Sequence, residues 1–412
     1  MIEGSQYLIN FLDTNVIHRL SCFKKNKLSE SSTNLLYNLF QKLITSSARA
    51  KEVEIKYSTI NKNDVLGQSY QLCPLHIKTH IDKMDSEARL YQFKLHDRNI
   101  KVVMVNEKNN KDTKFLTDAI NKIYLWLHFA QQFANMECSQ TLDIYFYFTD
   151  IEKTLPALKD EIGHENANTA FTFSCKPKNE IYVYRKEEWF KVFMHECFHN
   201  LGFDFSEIEC SHIDKQILSM FPVKADVRLF ETYCEIWAEL FNVMFIVFYS
   251  TKKSKDDENL AIMKMIKRTE KMLHYERMFS LFQCAKILNF FGLSYTELYD
   301  KDIRSQQIRN LRYKETTPIL SYYIIKCVLI YNINDFLEWC ILHNGYSINF
   351  NKEKHKVHNN LNNYCQLIRE HYMDEIFIDC LNDLEKWFKK QIKTNRMNKS
   401  ELITLRMSLY ET

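Results

Sequence analysis

The chain carries two histidines and a glutamate at a spacing that suits metal chemistry. Residues 191–202 read K-V-F-M-H-E-C-F-H-N-L-G, so that His195, Glu196 and His199 form the pattern H-E-x-x-H. In an α-helix, residues four apart lie one turn apart on the same face. Two imidazoles placed in this way can bind one zinc ion at about 2.0–2.1 Å. The glutamate can then take a proton from an attacking water, so the motif predicts a zinc-dependent hydrolase.

This motif needs a helix to carry it and a third protein ligand to complete it. The chain contains fourteen histidines, and the same spacing also arises by chance. The alternative interpretation is an ordinary helix with two histidines and an unrelated glutamate. The elements on either side of the motif distinguish the two interpretations.

The residues before the motif predict strands and helices in a definite order. Apolar runs rich in β-branched residues predict strands, and an apolar stripe at helical spacing predicts a helix. The predicted elements are a strand at 99–106, a helix at 112–134, a strand at 142–149, an edge strand at 168–174 and a strand at 180–185. The helix with the motif is then predicted at 186–201, with Gly202 as its C-terminal cap.

This order of elements, together with H-E-x-x-H, resembles the zincin metallopeptidases over residues 95–245. The resemblance implies an α+β fold, in which a zincin-like mixed β-sheet with its active-site helix precedes a mainly α-helical C-terminal lobe. It also implies that the edge strand at 168–174 pairs with an extended peptide substrate, although a plain edge strand is an equal alternative. The predicted parts are an N-terminal accessory region at 1–94, a zincin-like catalytic core at 95–249 and a helical C-terminal lobe at 250–412.

The third ligand distinguishes the classes of zincin. In metzincins, a histidine or aspartate ligand follows three residues after the glycine that ends the helix. Gly202 matches this glycine, but the ligand position holds Phe205, which cannot bind zinc. Asp204 comes one residue too early and is predicted to cap the helix or to form a local hydrogen bond. The sequence therefore does not fit the metzincin class.

A second helical stretch, at 226–249, offers carboxylates. Glu231, Glu235 and Glu239 are four residues apart, so all three lie near one face that apolar residues flank. Stacked carboxylates repel each other in a semi-buried position unless a cation compensates their charge. The structural alternative is the solvated face of an amphipathic helix.

Residues 235–239, E-I-W-A-E, resemble the E-x-x-A-E of some gluzincins, such as the lethal-factor-like peptidases. The resemblance implies that Glu235 is the third zinc ligand and that Glu239 orients a histidine ligand. In the alternative frame, Glu231 is the ligand and Glu235 lies behind it. The expected cofactor is Zn²⁺, and Glu196 is the expected general base.

Zincins also use a tyrosine or histidine to stabilise the oxyanion that forms during hydrolysis. The candidates are Tyr233, His274 and Tyr275, and the sequence does not choose among them. The alternative for His274 and Tyr275 is an ordinary polar role in a packed helix. Cys197 is predicted to be a core thiol, because it faces away from the metal side of the helix.

Composition limits the other classes of function. The chain has 412 residues, is 46% hydrophobic and has a net charge of only +3, which predicts a globular protein without a specific nucleic-acid partner. Its twelve scattered cysteines predict reduced thiols in the cytoplasm. The most apolar stretch, at 240–249, is too short to span a membrane. Only six glycines and five prolines indicate an AT-rich genome, such as that of a large DNA virus, and then the host cytoplasm or the virion is the expected location.

These observations favour a gluzincin-like zinc metallopeptidase, in particular an endopeptidase that acts on peptides or proteins. One alternative is a structural or virion-associated protein that keeps the zincin fold and its zinc without turnover. A fourth protein ligand such as Glu231 would favour that alternative, whereas the intact Glu196 argues against it. Another alternative is a non-proteolytic zinc hydrolase, which would have a cleft too narrow for an extended peptide.

Overall fold

The computed structural model describes residues 6, 9–10, 12–14, 27–107, 113–156, 161–251, 257–394 and 399–411. The chain divides into two compact units. The sheet unit comprises residues 36–152 and 168–207, and the helical unit comprises residues 1–35, 153–167 and 208–412. The protein is α+β, with a six-stranded mixed sheet and a mainly helical C-terminal part. In the described ranges, no helix is long and apolar enough to cross a membrane.

Six strands of the described residues form one sheet in the sheet unit. They are β1 (Tyr57–Ile60), β2 (Ser86–Leu95), β3 (Arg98–Glu107), β4 (Thr141–Tyr147), β5 (Ala170–Thr172) and β6 (Lys178–Val183). Their order across the sheet is β1-β2-β3-β4-β6-β5. The central strands β3, β4 and β6 are parallel, and the outer strands pair antiparallel with their neighbours. The predicted strands at 99–106, 142–149 and 180–185 are confirmed, and β5 is an edge strand as predicted.

The N-terminal region contributes two strands to this sheet. β2 pairs with β3 over its whole length, from Ser86 opposite Glu107 to Leu95 opposite Arg98. β2 could not be predicted from the sequence, because its polar and apolar residues alternate only in part. The structure buries Arg89, a charged residue, within this strand. Residues 53–57 also predict a short strand in this region, but of these only Tyr57 belongs to β1, which begins there.

The helices are, in chain order, α1 (Glu30–Ala50), α2 (Leu75–Lys83), α3 (Thr113–Ala130), α4 (His164–Ala167), α5 (Trp189–Asn200), α6 (Ser211–Met220), α7 (Leu229–Ser250), α8 (Glu258–Phe291), α9 (Tyr295–Tyr299), α10 (Ile303–Arg312), α11 (Lys326–Tyr331), α12 (Ile333–Asn344), α13 (Val357–His371), α14 (Glu375–Thr394) and α15 (Lys399–Ile403). Short 3₁₀ helices lie at Lys62–Val65 and Tyr70–Leu72, and a π-helix at Leu320–Ile325 leads into α11. The predicted helices at 112–134, 186–201 and 226–249 correspond to α3, α5 and α7, although Asp112 lies outside the described residues.

The two faces of the sheet bury different sets of side chains, because successive residues of a strand point to opposite sides. On one face, the ring of Phe146 in β4 lies 5.5 Å from that of Trp189 and 5.4 Å from that of Phe193, both in α5. On the other face, Tyr145 and Tyr182 stack at 4.8 Å and belong to a core that includes residues of α2. Aromatic packing on β4 therefore holds the helix with the motif against the sheet.

The helical unit is built around α7, which is buried along nearly its whole length. It packs against α8 and the π-helix. α8 is capped at its C-terminal end by Gly292, whose φ of 66° is left-handed. The sequence also shows one apolar helical pattern from Tyr364 to 393, but the structure has two helices there, α13 and α14. The helix is interrupted before α14, where the side chain of Asp374 accepts a hydrogen bond of 2.8 Å from the N–H of Phe377.

Cys138 and Cys175 form a disulfide in the sheet unit, which corrects the prediction that the cysteines are reduced. Sequence spacing did not indicate this pair, because the two residues are 37 positions apart. The loops that precede β4 and β6 bring them together, where the N–H of Ser139 donates to the carbonyl of Lys176 at 2.8 Å. The other cysteines in the described ranges are free thiols.

We expect Cys175→Ser to lower the free energy of unfolding of the sheet unit by roughly 3–4 kcal/mol, because the disulfide closes a long loop in the unfolded chain. Denaturant unfolding with and without a reductant measures this difference. The reductant should destabilise the wild-type protein by a similar amount and leave Cys175→Ser unchanged. Equal stability of the two proteins in the absence of reductant would show that the disulfide does not form in solution.

Candidate metal centre

The motif lies on α5, and every residue of that helix is buried. The helix ends in the two hydrogen bonds of a Schellman motif. The N–H of Gly202 donates to the carbonyl of His199 at 3.2 Å, and the N–H of Phe203 donates to that of Phe198 at 2.9 Å. Gly202 has a φ of 76°, a left-handed conformation that a glycine adopts without strain. The predicted C-terminal cap is confirmed, and it turns the chain sharply just after the motif.

The Nε2 atoms of His195 and His199 are 3.1 Å apart in the buried interior of the sheet unit. Two nitrogens that bind one tetrahedral zinc at about 2.0–2.1 Å are separated by about 3.3–3.4 Å. The observed separation is close to this value, and both histidines belong to sets of side chains able to hold a metal ion. A hydrogen bond between two neutral imidazoles has a similar length, so metal content distinguishes the two arrangements.

Asp204 holds the other ring nitrogen of His199. Its Oδ2 lies 2.5 Å from Nδ1 of His199, and the aspartate side chain is 1% exposed. Its Oδ1 accepts hydrogen bonds from the N–H of Ser206 at 3.3 Å and from the hydroxyl of Ser206 at 3.0 Å. The sequence predicted a local hydrogen bond or cap for Asp204 but did not connect it to the motif. Five residues separate Asp204 from His199, and only the turn at Gly202 brings them together.

Glu196 directly follows His195 in the sequence. It is buried in the structure, with 7% of its surface exposed. Two hydrogen bonds that involve Asn200 hold the last turn of α5 in place. The side-chain amide of Asn200 donates to the carbonyl of Glu196 at 3.0 Å, and the hydroxyl of Ser139 donates to the carbonyl of Asn200 at 2.8 Å. Since Ser139 follows Cys138 in the loop before β4, this loop fixes the C-terminal end of the helix. The side chains of Asn200 and Ser139 therefore hold the backbone at the C-terminal end of the motif helix.

Cys197 is not a nucleophile candidate. Its side chain is fully buried, and this desolvation raises the pKa of the thiol well above its ordinary range. A hydrogen bond with Trp126 lowers the pKa of Cys197 by less than burial raises it. The reactive form of a cysteine is the thiolate, which such a site disfavours. The prediction of a core thiol is confirmed.

The predicted carboxylate ligands lie on α7 in the helical unit, and burial deepens along the helix. Glu231 is 8% exposed, Glu235 is 2% exposed and Glu239 is completely buried. Glu239 forms an ion pair with the Nζ of Lys326 in α11. Burial by itself lowers the pKa of Lys326, but Glu239 and Glu235 together outweigh it and raise that pKa above its ordinary value. The alternative of a solvated helix face is therefore wrong.

The oxyanion candidates also lie in the helical unit. Tyr233 is fully buried, and its hydroxyl donates to the carbonyl of Ile348 at 2.8 Å. The hydroxyl of Tyr275 donates to the carboxylate of Asp13 at 3.2 Å. Each tyrosine has a single O–H, so both hydroxyl protons are used inside the helical unit. His274, next to Tyr275 in α8, is half-buried. An oxyanion role for these three residues stays a prediction without structural support.

The partners that hold the motif could not be found from the sequence. Asp204 was recognised as polar and near the helix end, but its contact with His199 depends on the shape of the turn. The ion pair of Glu239 with Lys326 joins residues far apart in the chain.

No protein-family model matches this chain, and no curated protein or solved structure is detectably similar to it.

Proposed function

We propose that the protein is a zinc metallopeptidase of the gluzincin type, with a zincin-like fold. The observation that carries the proposal is the pair of buried Nε2 atoms of His195 and His199, which face each other at 3.1 Å. The order of elements supports it, because parallel strands and an antiparallel edge strand precede the helix with the motif. The buried Glu196 adds the base that hydrolysis needs.

The available donors suit zinc. Catalytic zinc sites in proteins combine imidazole nitrogens and carboxylate oxygens, with three protein ligands and one open position. His195 and His199 would supply the nitrogens, and a glutamate of α7 would supply the oxygen. Bound there, zinc would polarise a peptide carbonyl and increase the acidity of a water molecule.

We propose Glu231 as the third ligand, with Glu235 as the alternative that the gluzincin resemblance favours. Within the helical unit, Glu235 and Glu239 share the field of the buried Lys326 ammonium, and Glu239 pairs with it directly. Glu231 lies in the first turn of α7 and is the least buried of the three. We therefore assign the metal to the glutamate that lies about two helical turns before the ion pair of Glu239 with Lys326. In this frame Glu235 lies behind the ligand.

Two parts of the chain act in the proposed hydrolysis: the side chain of Glu196 and the backbone of β5. Glu196 takes a proton from the attacking water at a carboxylate oxygen and passes it to the nitrogen of the leaving amine. β5 lies at the end of the strand order, so its outer backbone groups can accept an extended peptide as a further strand. Such pairing does not depend on the side chains of the substrate, which suits an endopeptidase.

The zinc content of purified variants tests the proposal. Wild-type protein prepared without chelators should hold about one zinc per chain, and His199→Ala should hold none, because two-point attachment by the histidines is lost. Glu231→Ala should lose zinc, whereas Glu235→Ala should retain most of it. His355→Ala is a matched control, since His355 is a largely exposed histidine in the helical unit.

Zinc content, together with an assay of peptide cleavage, has three decisive outcomes. Wild-type protein that neither contains zinc nor takes it up would overturn the proposed function. Loss of zinc in Glu235→Ala with retention in Glu231→Ala would restore the frame in which Glu235 is the ligand. Full zinc content without any peptide cleavage would favour a structural protein with a zincin fold.

A further inference from the structure

We infer that Asp204 is a positioning residue that sets the ring of His199 for metal binding before the metal arrives. This inference rests on the proposed function, because it concerns the way in which the chain prepares one zinc ligand. It adds a residue that neither the motif nor the gluzincin resemblance includes. The contacts that carry it all lie within the sheet unit.

Asp204 contacts the ring nitrogen of His199 that does not face His195. The two nitrogens of an imidazole ring point to different sides, so a partner at one of them cannot also occupy the position that the other faces. Asp204 contacts Nδ1 of His199 at 2.5 Å, while Nε2 of His199 faces Nε2 of His195. Asp204 is therefore placed to orient the ring and not to share the metal position.

The contact with Asp204 also determines which ring nitrogen of His199 carries the proton. In the proposed arrangement Asp204 is an ionised carboxylate, which only accepts hydrogen bonds, so that Nδ1 of His199 carries the proton of this contact. Nε2 then keeps its lone pair, which is the form that binds a metal ion. In known metal sites, a carboxylate on the remote ring nitrogen fixes the orientation and strengthens the ligand. The pair thus supplies both the ring orientation and the required protonation state.

Hydrogen bonds from Ser206 hold the carboxylate of Asp204 in place. Ser206 donates two hydrogen bonds to Oδ1, one from its N–H and one from its hydroxyl. The hydroxyl of Ser206 also lies 3.0 Å from that of Ser174, just after β5. These contacts fix the carboxylate between the end of α5 and the edge of the sheet. A single rotamer of Asp204 therefore faces His199.

The position of Asp204 argues against a mere helix cap. The C-terminal end of a helix carries partial negative charge, so a carboxylate is electrostatically unfavourable there. Asp204 nevertheless lies four residues after the end of α5, with only 1% of its surface exposed. Burial of such a group requires compensating hydrogen-bond donors. The ring of His199 and the two groups of Ser206 are among the partners of this carboxylate, so its buried position is tied to His199.

Zinc affinity of the full chain tests the inference, with zinc alone as the probe and a chromophoric chelator as the competitor. Asp204→Asn keeps the shape but removes the charge, and we expect it to bind zinc about 10-fold more weakly. Asp204→Ala removes the partner of Nδ1, and we expect a loss of about 100-fold. Glu207→Gln removes a charge from an exposed position of the same loop and should bind within about twofold of wild type.

A second measurement separates positioning from a general loss of structure. In metal-free protein labelled with ¹⁵N-histidine, the His199 ring of the wild type should carry its proton on Nδ1. This ring signal, assigned by its absence in His199→Gln, should change to a mixture of tautomers in Asp204→Ala. Unchanged signals of the other histidines and an unchanged melting temperature of the metal-free variant would show that the fold is intact.

The outcomes for the inference and for the proposed function are distinguishable. If wild-type protein binds zinc and both Asp204 variants bind it equally well, the role of Asp204 is refuted and the zinc site stands. If Asp204→Ala binds zinc weakly but keeps the wild-type tautomer of His199, the loss comes from structure and the inference is again refuted. If wild-type protein binds no zinc, the inference falls together with the proposed function.

Discussion

Glu196→Gln is expected to reduce peptide hydrolysis by about 10²–10⁴-fold while the zinc content stays at the wild-type level. A glutamine has nearly the shape of glutamate but cannot accept the proton of the attacking water, and general-base catalysis contributes a factor of this size. Glu196 is not one of the proposed zinc ligands, so its replacement leaves the two histidines in place. A large loss of turnover at constant zinc would therefore identify the base.

Cleavage of a broad mixture of unlabelled peptides, read out by mass spectrometry, measures this effect for a peptidase of any sequence specificity. His199→Ala serves as the variant without zinc, and Glu207→Gln serves as a variant with one carboxylate fewer at an exposed position. Both Glu196→Gln and His199→Ala should lack new cleavage products that wild type and Glu207→Gln share. Cleavage by Glu196→Gln at the wild-type rate would exclude Glu196 as the base.

Lys326→Ala is expected to lower the free energy of unfolding of the helical unit by about 3–5 kcal/mol, which is the range for breaking a buried ion pair. The change leaves the fully buried carboxylate of Glu239 without its ammonium partner. It also removes the hydrogen bond of 2.6 Å that the Nζ of Lys326 donates to the carbonyl of Met407. Both losses leave polar groups in the core of the helical unit, where solvation cannot replace them.

A double variant provides the matched control for this prediction. Lys326→Met combined with Glu239→Leu replaces both charges by apolar side chains of similar size and should recover most of the lost stability. Denaturant unfolding of wild type, Lys326→Met, Glu239→Leu and the double variant measures the coupling energy. Additive effects of the single changes would show that the two residues do not stabilise each other.

A further variant, Glu239→Gln, tests the role that the gluzincin resemblance implies for Glu239. If Glu239 orients a histidine ligand, Glu239→Gln should weaken zinc binding by about 10–100-fold. If Glu239 instead serves to pair with Lys326 in the helical unit, zinc affinity should stay within about twofold and only stability should fall. Zinc affinity and unfolding of one variant therefore separate the two roles.

The division of the chain differs between the sequence pattern and the structure. The sequence predicted a catalytic core at 95–249 that contains both the motif and the carboxylate helix. The structure assigns the motif to the sheet unit, which ends at Glu207, and α7 to the helical unit. Local patterns could not reveal this boundary, because a compact unit is defined by contacts between residues that are far apart in the chain.

The sequence alone determined the elements whose pattern is local. The apolar periods of α3 and α7, the β-branched runs of β3, β4 and β6 and the glycine after α5 all predicted elements that the structure contains. The H-E-x-x-H spacing placed its two histidines on one face of a helix, and their Nε2 atoms are close together in the structure. Each of these patterns depends on residues within one or two turns or on one strand. Hydrophobic period and capping chemistry are read over that distance, so the identity and approximate bounds of these elements were predictable.

Only the tertiary structure decided which side chains meet. The disulfide of Cys138 with Cys175, the ion pair of Lys326 with Glu239 and the pairing of β2 with β3 all join segments whose approach depends on the folded chain. The contact of Asp204 with His199 spans only five residues, yet it too depends on the left-handed turn at Gly202 and on the support of Ser206. A side-chain contact requires a distance and a direction, and both are set by packing, which no local pattern of residues records.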